Sequence, residues 1–211
     1  MRDERALRTV VAVTAGGTAT YDGVADLPAL VARAVALARA TGFDLSSIPE
    51  QGRLLQVLAR GCEGGRIGET GTGAGVGVAW LASAVGATTE IVSVEREPGL
   101  VAATRELFAD HPNVTIVEGD WTRIHDHAPF DLLVVDGGGK GHDGEPIAEP
   151  RALLAPGGAI VLDDFTPMTG WPPSFHGAPD RTRLRWLEHP DLLVTEVRTT
   201  PTTASLVGKL R

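Results

Sequence analysis

A run of glycines with an acidic residue in front of it is the part of the sequence best suited to binding a ligand. Residues 69–75 are Glu-Thr-Gly-Thr-Gly-Ala-Gly, and a helical pattern begins at Val76. Glycines let backbone amides approach a ligand closely and let the chain turn with positive φ. The following helix N-terminus favours negative charge on the ligand. The carboxylate of Glu69, by contrast, is poorly placed for a pyrophosphate and suits a cationic group, so the run predicts a nucleoside with a cationic tail.

A second acidic residue, Glu95, ends the next predicted strand, where an acid can bind both hydroxyls of a ribose. The dinucleotide fingerprint fails in every register, because its third small residue would be Val76, Val78 or Trp80. A nicotinamide-dependent oxidoreductase is therefore the less favoured interpretation of the glycine run.

Short aliphatic and β-branched runs alternate with helical patterns through the middle of the chain, which predicts right-handed βαβ units and a parallel sheet. The predicted strands are residues 66–69, 91–94, 114–117, 132–135 and 159–162. The predicted helices between them are Val76 to Val85, Pro98 to Phe108 and a short one that ends near Leu154.

The C-terminal part of the chain has a different pattern. Leu192 to Val197 and Ala204 to Leu210 are two strand-like runs with no room for a helix between them, so they are predicted to pair antiparallel. Phe165 to Arg181 is rich in proline, glycine and aromatic residues and is predicted to be a long surface loop. A helix is predicted from Arg181 to Leu187, with Trp186 in the core.

Two helices are predicted before the glycine run. Asp26 to Ala40 has one apolar face, and Thr41-Gly42 ends it. Ser47 and Glu50 have the spacing of a capping box, with Pro49 in the first turn of a second helix.

These motifs together resemble the class I S-adenosylmethionine-dependent methyltransferases. The run 69–75 resembles motif I, Glu95 the ribose-binding acid, and Glu118-Gly119-Asp120 the segment whose acid reaches the adenine amine. Residues 130–136 resemble motif IV, and Leu153-Leu154-Ala155-Pro156-Gly157-Gly158 is similar to the family's segment before the fifth strand. Within that superfamily the chain looks most like the small catechol and caffeoyl-CoA O-methyltransferases.

The resemblance implies a Rossmann-like α/β fold: a seven-stranded, mostly parallel sheet with helices on both faces, the last strand antiparallel and an N-terminal helical cap. One domain is expected over residues 1–211, with the cap in 1–60 and the cofactor-binding core in 61–211. It also implies S-adenosyl-L-methionine as cofactor, a small-molecule acceptor and a homodimer. The residues expected at the cofactor are Glu69, Gly71, Thr72, Gly73, Gly75, Glu95, Arg96, Gly119, Asp120, Trp121 and Asp136.

The resemblance further implies a metal site, with a departure. Metal-dependent relatives use an Asp after the fourth strand and an Asp-Asn pair after the fifth, and Asp136, Asp163 and Asp164 match those places, with Asp164 replacing the Asn. An all-oxygen set suits Mg²⁺ or another hard divalent cation. Transfer without a metal is the alternative.

The acceptor hydroxyl also needs a base. Lys140 is the first candidate, because it lies four positions after Asp136, where the relatives have a lysine three positions after theirs. His142 is the second candidate. Asp136 is expected to contribute to catalysis by orienting the acceptor or holding the ion.

Composition restricts the remaining classes. The net charge of −8 disfavours a nucleic-acid binder with a basic face. No apolar run approaches the ~20 residues that span a bilayer, and the charged start at residues 1–13 is unlike a signal peptide. The single cysteine, Cys62, excludes an intrachain disulfide. A cytoplasmic protein without membrane or nucleic-acid partners is therefore expected.

The sequence thus predicts an S-adenosylmethionine-dependent O-methyltransferase that acts on a small, aromatic hydroxyl acceptor. A methyltransferase-like chain that binds the cofactor without turnover is the principal alternative, because the Asp164 change and the shifted Lys140 alter the acceptor end of the site.

Overall fold

The computed structural model describes residues 16–211, and the charged N-terminal stretch lies outside that range. The strands within residues 16–211 are β1 (Arg66–Thr70), β2 (Glu90–Glu95), β3 (Val114–Glu118), β4 (Phe130–Val135), β5 (Leu154–Phe165), β6 (Ser174–Phe175), β7 (Ala178–Pro179), β8 (Leu192–Arg198) and β9 (Ala204–Leu210). The α-helices of the described part are α1 (Ala29–Thr41), α2 (Pro49–Arg60), α3 (Val76–Ala82), α4 (Pro98–Leu107), α5 (Pro150–Leu153) and α6 (Arg181–Leu187). Short 3₁₀ turns cover Gly17–Tyr21, Trp121–His127 and His142–Gly144.

Seven strands form one sheet in the order β3-β2-β1-β4-β5-β9-β8. β1 to β5 run parallel, and β9 is antiparallel to both of its neighbours, β5 and β8. This arrangement confirms the predicted α/β fold and the antiparallel pairing of the two C-terminal strands. The strand order reverses between β1 and β4, and ligands of such sheets bind at that point, beyond the carboxyl ends of the strands.

Hydrophobic side chains pack on both faces of the sheet, as the near-continuous apolar strands predict. Along β4, Leu132 and Val134 join the core beneath α1 to α4, whereas Leu133 and Val135 join the core on the opposite face. Trp186 of α6 lies in this second core and is fully buried, as predicted. Successive side chains of a strand therefore face opposite layers of helices.

Gly68 in the middle of β1 has a packing reason. A Cβ there would lie 2.8 Å from Cε1 of Phe130, so the phenylalanine ring of the neighbouring strand occupies the volume of the missing side chain. The glycine weakens the strand locally, and the buried ring offsets this by filling the core.

Three local predictions were wrong. α1 begins at Ala29 and not at Asp26, because Asp26 has a left-handed φ of 59° and Pro28 is the N-cap. The capping box does not form, since Ile48 is the N-cap of α2 and Ser47 directs its Oγ to Asp136 at 3.5 Å. The predicted loop from Phe165 to Arg181 contains the small hairpin β6–β7.

No helix of residues 16–211 combines the length and the apolar character that crossing a bilayer requires.

Candidate active site

A cavity of about 480 Å³ opens at the carboxyl ends of β1, β2 and β4, where the strand order reverses. Its wall is formed by the glycine loop, the turns after β2, β3 and β4, and the segment between α1 and α2. The residues that line it are Phe43, Leu45, Ser46, Ser47, Gly71, Thr72, Gly73, Ala74, Val76, Gly77, Val94, Glu95, Arg96, Leu100, Gly119, Asp120, Trp121, Asp136, Gly137, Gly138, Glu145 and Asp164.

The glycine loop takes a shape that side chains would prevent. Gly71, Gly73 and Gly75 have φ values of 89°, 54° and 82°, in the left-handed region. A Cβ at Gly71 would lie 2.7 Å from the backbone nitrogen of Gly137, so the loops after β1 and β4 touch there. The glycines thus bring backbone amides to the cavity wall, as the motif predicts.

Glu95 is placed at the end of β2, as predicted, and it binds the loop itself. Its Oε2 accepts a hydrogen bond from the Gly73 amide at 2.8 Å, and its Oε1 accepts from the amides of Arg96 and Glu97, both at 2.9 Å. These three bonds use three of the roughly four lone-pair sites of a carboxylate, so Oε2 keeps one with which to accept from a ribose hydroxyl.

Glu69 and Gly75 do not line the cavity, in contrast to the other residues expected at the cofactor. Glu69 is 1% exposed, and its Oε2 accepts a hydrogen bond from Ser93 Oγ at 2.6 Å. Burial raises its pKa to about 8. Gly75 caps α3, and a Cβ there would meet Phe108 at 2.9 Å. The positions of Glu69 and Gly75, on the side of the glycine loop away from the cavity, support a role in shaping this loop.

The turn after β3 forms the opposite side of the cavity. Asp120 caps the following 3₁₀ turn by accepting from the backbone and hydroxyl of Thr122, at 3.1 and 2.8 Å, and these bonds lower its pKa. Trp121 packs over the glycines after β4, since a Cβ at Gly138 would lie 2.1 Å from its Cδ1. Gly138 and Gly139 of this turn therefore make room for the indole.

The carboxylates expected to bind a metal lie together at the inner end of the cavity. Oxygens of Asp136, Asp163 and Asp164 fall within 4.8 Å of one another. Burial, and then the charge of Asp163, raises the pKa of Asp136 well above its ordinary value. Asp164 has a left-handed φ of 64°, and its Oδ1 is buried with no hydrogen-bond partner in residues 16–211.

Lys140 lies in the same cluster. The sequence predicted this lysine only as a base near the acceptor. Its Nζ donates to Asp163 Oδ1 at 2.7 Å and to Asp164 Oδ2 at 3.3 Å. The lysine and Asp163 side chains are only 3% and 4% exposed. Burial alone would lower the pKa of Lys140, but the two carboxylates raise it above its ordinary value. The ammonium is therefore a poor base near neutral pH.

The second base candidate and the aromatic residues of the segment after β5 are not among the residues that line the cavity. His142 is half-buried with its ring centroid 6.4 Å from that of Phe165, and it does not line the cavity. Phe175 and His176 stack on each other at 4.1 Å in the exposed hairpin. Trp171 is 64% exposed.

Sequence reasoning missed several residues of the wall, among them Phe43, Ser47 and Glu145. Phe43 follows the end of α1, and a Cβ at Gly73 would lie 2.6 Å from its Cζ, so the cap rests on the glycine loop. The resemblance implied such a cap over the pocket, but no motif assigned these three side chains to the cavity.

Solved structures of small methyltransferases share this fold. The O-methyltransferase TomG from Streptomyces achromogenes, solved in complex with SAM, superposes over 92% of this chain and 95% of its own, with 21% identity and a TM-score of 0.68. The cofactor-bound protein Rv0187 from MTB superposes over 90% and 94%, with 22% identity and a TM-score of 0.70.

Sequence comparison gives a similar result at greater identity. A putative O-methyltransferase of Mycobacterium sp. (strain JLS) is 33% identical over 139 residues, which are 61% of this chain and 62% of the relative. The chain thus matches less than two thirds of the length of this curated relative.

A family model also matches the chain. The model described as protein-L-isoaspartate (D-aspartate) O-methyltransferase (PCMT) covers residues 35–163, which include α2, the glycine loop, and the first five strands up to Asp163. This segment is more than half of the sequence and holds nearly the whole cavity wall. The chain therefore belongs to the protein-L-isoaspartate (D-aspartate) O-methyltransferase family and has the class I S-adenosylmethionine-dependent methyltransferase fold.

Proposed function

We propose that this chain transfers the methyl group of S-adenosylmethionine to the hydroxyl oxygen of a small, neutral, aromatic acceptor. The observation that carries the proposal is the charge of the cavity. Its wall in the described residues holds five acidic side chains, Glu95, Asp120, Asp136, Glu145 and Asp164, against one basic side chain, Arg96. A sulfonium cofactor with an ammonium group suits this field, whereas a pyrophosphate does not.

The cofactor would lie across the ends of β1 and β2. The amides of the glycine loop and the Glu95 carboxylate would hold the ribose, and Asp120 with Trp121 would flank the adenine. The methionine end would then point to the cluster at Asp136. The cofactor-bound state of TomG and Rv0187 supports this position for a cavity in the same fold.

The acceptor would lie beside Asp164. Methyl transfer forms a bond between the acceptor oxygen and the methyl carbon and breaks the carbon–sulfur bond, whose electron pair stays on sulfur. Asp164 lines the cavity, and its buried Oδ1 has no donor in residues 16–211, which supports Asp164 as the group that receives the hydroxyl proton. The paired ammonium of Lys140 and the position of His142 off the wall support Asp164 over both as the base.

The name of the matched family describes methylation of an isoaspartyl or D-aspartyl carboxyl. The cavity argues against that acceptor here, because an anionic carboxylate would enter beside Asp136 and Asp164, where Lys140 is already paired with Asp163 and Asp164. Arg96, the one basic side chain of the described wall, follows β2 beside Glu95 and not this acidic cluster. A neutral hydroxyl meets no such repulsion.

Calorimetric titration with S-adenosylhomocysteine, with NADH as the control, tests the cofactor. We expect micromolar binding of S-adenosylhomocysteine alone. Binding of NADH instead would replace the proposal with the oxidoreductase alternative.

Transfer of labelled methyl from S-adenosylmethionine to catechols, single-hydroxyl phenols and an isoaspartyl peptide tests the acceptor. We expect turnover with the hydroxyl compounds and none with the peptide. Binding of the cofactor without transfer to any of these acceptors would favour the catalytically silent alternative. The homodimer implied by the resemblance stays a prediction, which sedimentation equilibrium tests.

A further inference from the structure

The lysine in the acidic cluster is held rigidly at the point where two carboxylates converge. Lys140 Nζ lies 2.7 Å from Asp163 Oδ1 and 3.3 Å from Asp164 Oδ2. The Lys140 backbone is fixed as well, because its carbonyl accepts from Trp186 Nε1 at 2.8 Å and the residue forms an isolated β-bridge with Ile147. Trp186 is fully buried. The ammonium is therefore part of the packed core rather than the end of a mobile chain.

This position conflicts with a divalent metal. Mg²⁺ binds carboxylate oxygens at roughly 2.0–2.1 Å and Ca²⁺ at about 2.3–2.6 Å. An ion that bridged Asp163 Oδ1 and Asp164 Oδ2 would need the space in which the ammonium already contacts both oxygens. Two cations in one buried site would also repel each other strongly. The three carboxylates are spaced as metal ligands, but the Lys140 ammonium already occupies the position between two of them.

We propose that the Lys140 ammonium replaces the divalent cation in this site, so that the cluster of Asp136, Asp163 and Asp164 binds no metal. The inference rests on the proposed function, because that function assigns the cluster to the end of the cavity where the acceptor binds. The lysine supplies the positive charge that the carboxylates of Asp163 and Asp164 require, and it binds Asp164 Oδ2, whereas Asp164 Oδ1 has no donor in residues 16–211.

A consequence for the substrate follows. A metal ion that activates a hydroxyl through two oxygens selects acceptors with adjacent hydroxyl groups. A fixed ammonium that already contacts two carboxylates provides no such chelate, so this chain requires only one hydroxyl on its acceptor. Phenols with a single hydroxyl are therefore substrates in the same range as catechols.

The test measures Mn²⁺ binding by electron paramagnetic resonance, which needs neither cofactor nor acceptor. Three forms are compared: the wild-type chain, Asp164→Asn, and the double variant Lys140→Met with Asp164→Asn. The single variant keeps the lysine. The double variant removes it and leaves two aspartates and an asparagine, with the same net charge as the wild-type chain. Lys209→Met with Asp164→Asn is the matched control, because Lys209 is the second lysine of the sequence and is exposed.

We expect the wild-type chain, Asp164→Asn and the Lys209 control to bind Mn²⁺ no more tightly than exposed surface carboxylates do. The double variant is expected to bind it at least about tenfold more tightly than these three forms. Stoichiometric Mn²⁺ binding by the wild-type chain that Asp163→Asn abolishes would overturn the proposal. A folded double variant that gains no affinity would overturn it too, because the lysine would then not be what excludes the ion.

The wild-type measurement decides the matter even where the double variant does not fold. Different results would contradict the proposed function, namely the absence of S-adenosylhomocysteine binding or of methyl transfer. Neither is measured in the metal titration. Where transfer is measured, chelation of divalent ions is expected to leave its rate unchanged with both one-hydroxyl and two-hydroxyl acceptors.

Discussion

The Glu95 carboxylate holds the Gly73 amide, with 2.8 Å between Oε2 and the nitrogen, and so joins the end of β2 to the glycine loop after β1. Its second oxygen binds the two amides that follow it in the chain. One side chain therefore fixes the loop that would receive the cofactor and also lines the cavity.

Glu95→Gln is expected to weaken binding of S-adenosylhomocysteine by roughly ten- to a hundredfold. The amide nitrogen of glutamine cannot accept a hydrogen bond, and bonds to charged groups contribute about 1.5–3 kcal/mol each. Calorimetry measures the change. Glu97→Gln is the control, because it removes the same charge from an exposed residue two positions on. Equal affinities of the two variants would show that Glu95 does not bind the ligand.

Asp164→Asn is expected to lower kcat by roughly 10²–10⁴, the contribution of a general base, and to leave the affinity for S-adenosylhomocysteine unchanged. Asparagine adopts the left-handed backbone of this position as readily as aspartate, so the fold is preserved. Rates of methyl transfer with a phenol check the prediction. Asp126→Asn, on an exposed residue paired with Arg123, is the control. A kcat within twofold of the wild-type value would remove Asp164 from the mechanism.

Glu69→Gln is expected to change the pH dependence of stability. The pKa of Glu69 is about 8 in the folded protein against 4.5 as its ordinary value. Between these values the folded state holds a proton that the unfolded state has released, so the wild-type free energy of unfolding falls as pH rises. The variant lacks this dependence, and glutamine can still accept from Ser93.

Urea denaturation of both proteins at pH 5, 6, 7 and 8 measures this effect, since the difference between them isolates Glu69 from the other buried acids. The stability of the variant relative to the wild-type chain should increase steadily over that range. A constant difference would mean that Glu69 is ionised in the fold.

Gly52→Ala is expected to destabilise the protein by roughly 1–3 kcal/mol. Gly52 lies in α2 against the indole of α3, and an added Cβ would lie 2.1 Å from Trp80 Nε1, which already donates to Tyr21 Oη at 2.9 Å. Thermal or urea unfolding provides the measurement. Gly99→Ala in α4 is the matched control, because the nearest atom to its Cβ is 3.8 Å away and stability there should be unchanged or raised. Similar losses for the two variants would exclude the packing explanation.

The fold was predictable because local patterns determine it: aliphatic runs gave the strands, and the glycine run and strand-end acids gave the cavity. The side-chain directions were not predictable in the same way. Glu69 faces inward because Ser93 on the neighbouring strand binds it, and a sequence does not show which residue lies opposite. Ser47 was assigned to a cap, but Asp136, 89 positions away, accepts from its hydroxyl instead.

Lys140 illustrates the same limit in the acidic cluster. The sequence placed a lysine and three acids near one another, and it supported both a base and a metal site. Only the geometry shows that the ammonium binds Asp163 and Asp164 directly. The three glycines before Lys140 were the available signal, since they allow the turn to fold back toward β5.

The position of β9 affects the order in which the chain can fold during synthesis. β9 is inserted between β5 and β8 although it follows both in the sequence, so β8 has no neighbour in the sheet until residues 204–210 have emerged from the ribosome. Ser205 of β9 also binds Gln51 of α2, 154 positions earlier, at 2.6 Å. A nascent chain that ends before β9 therefore exposes the edge of β5, and this sheet becomes continuous only when its last strand arrives.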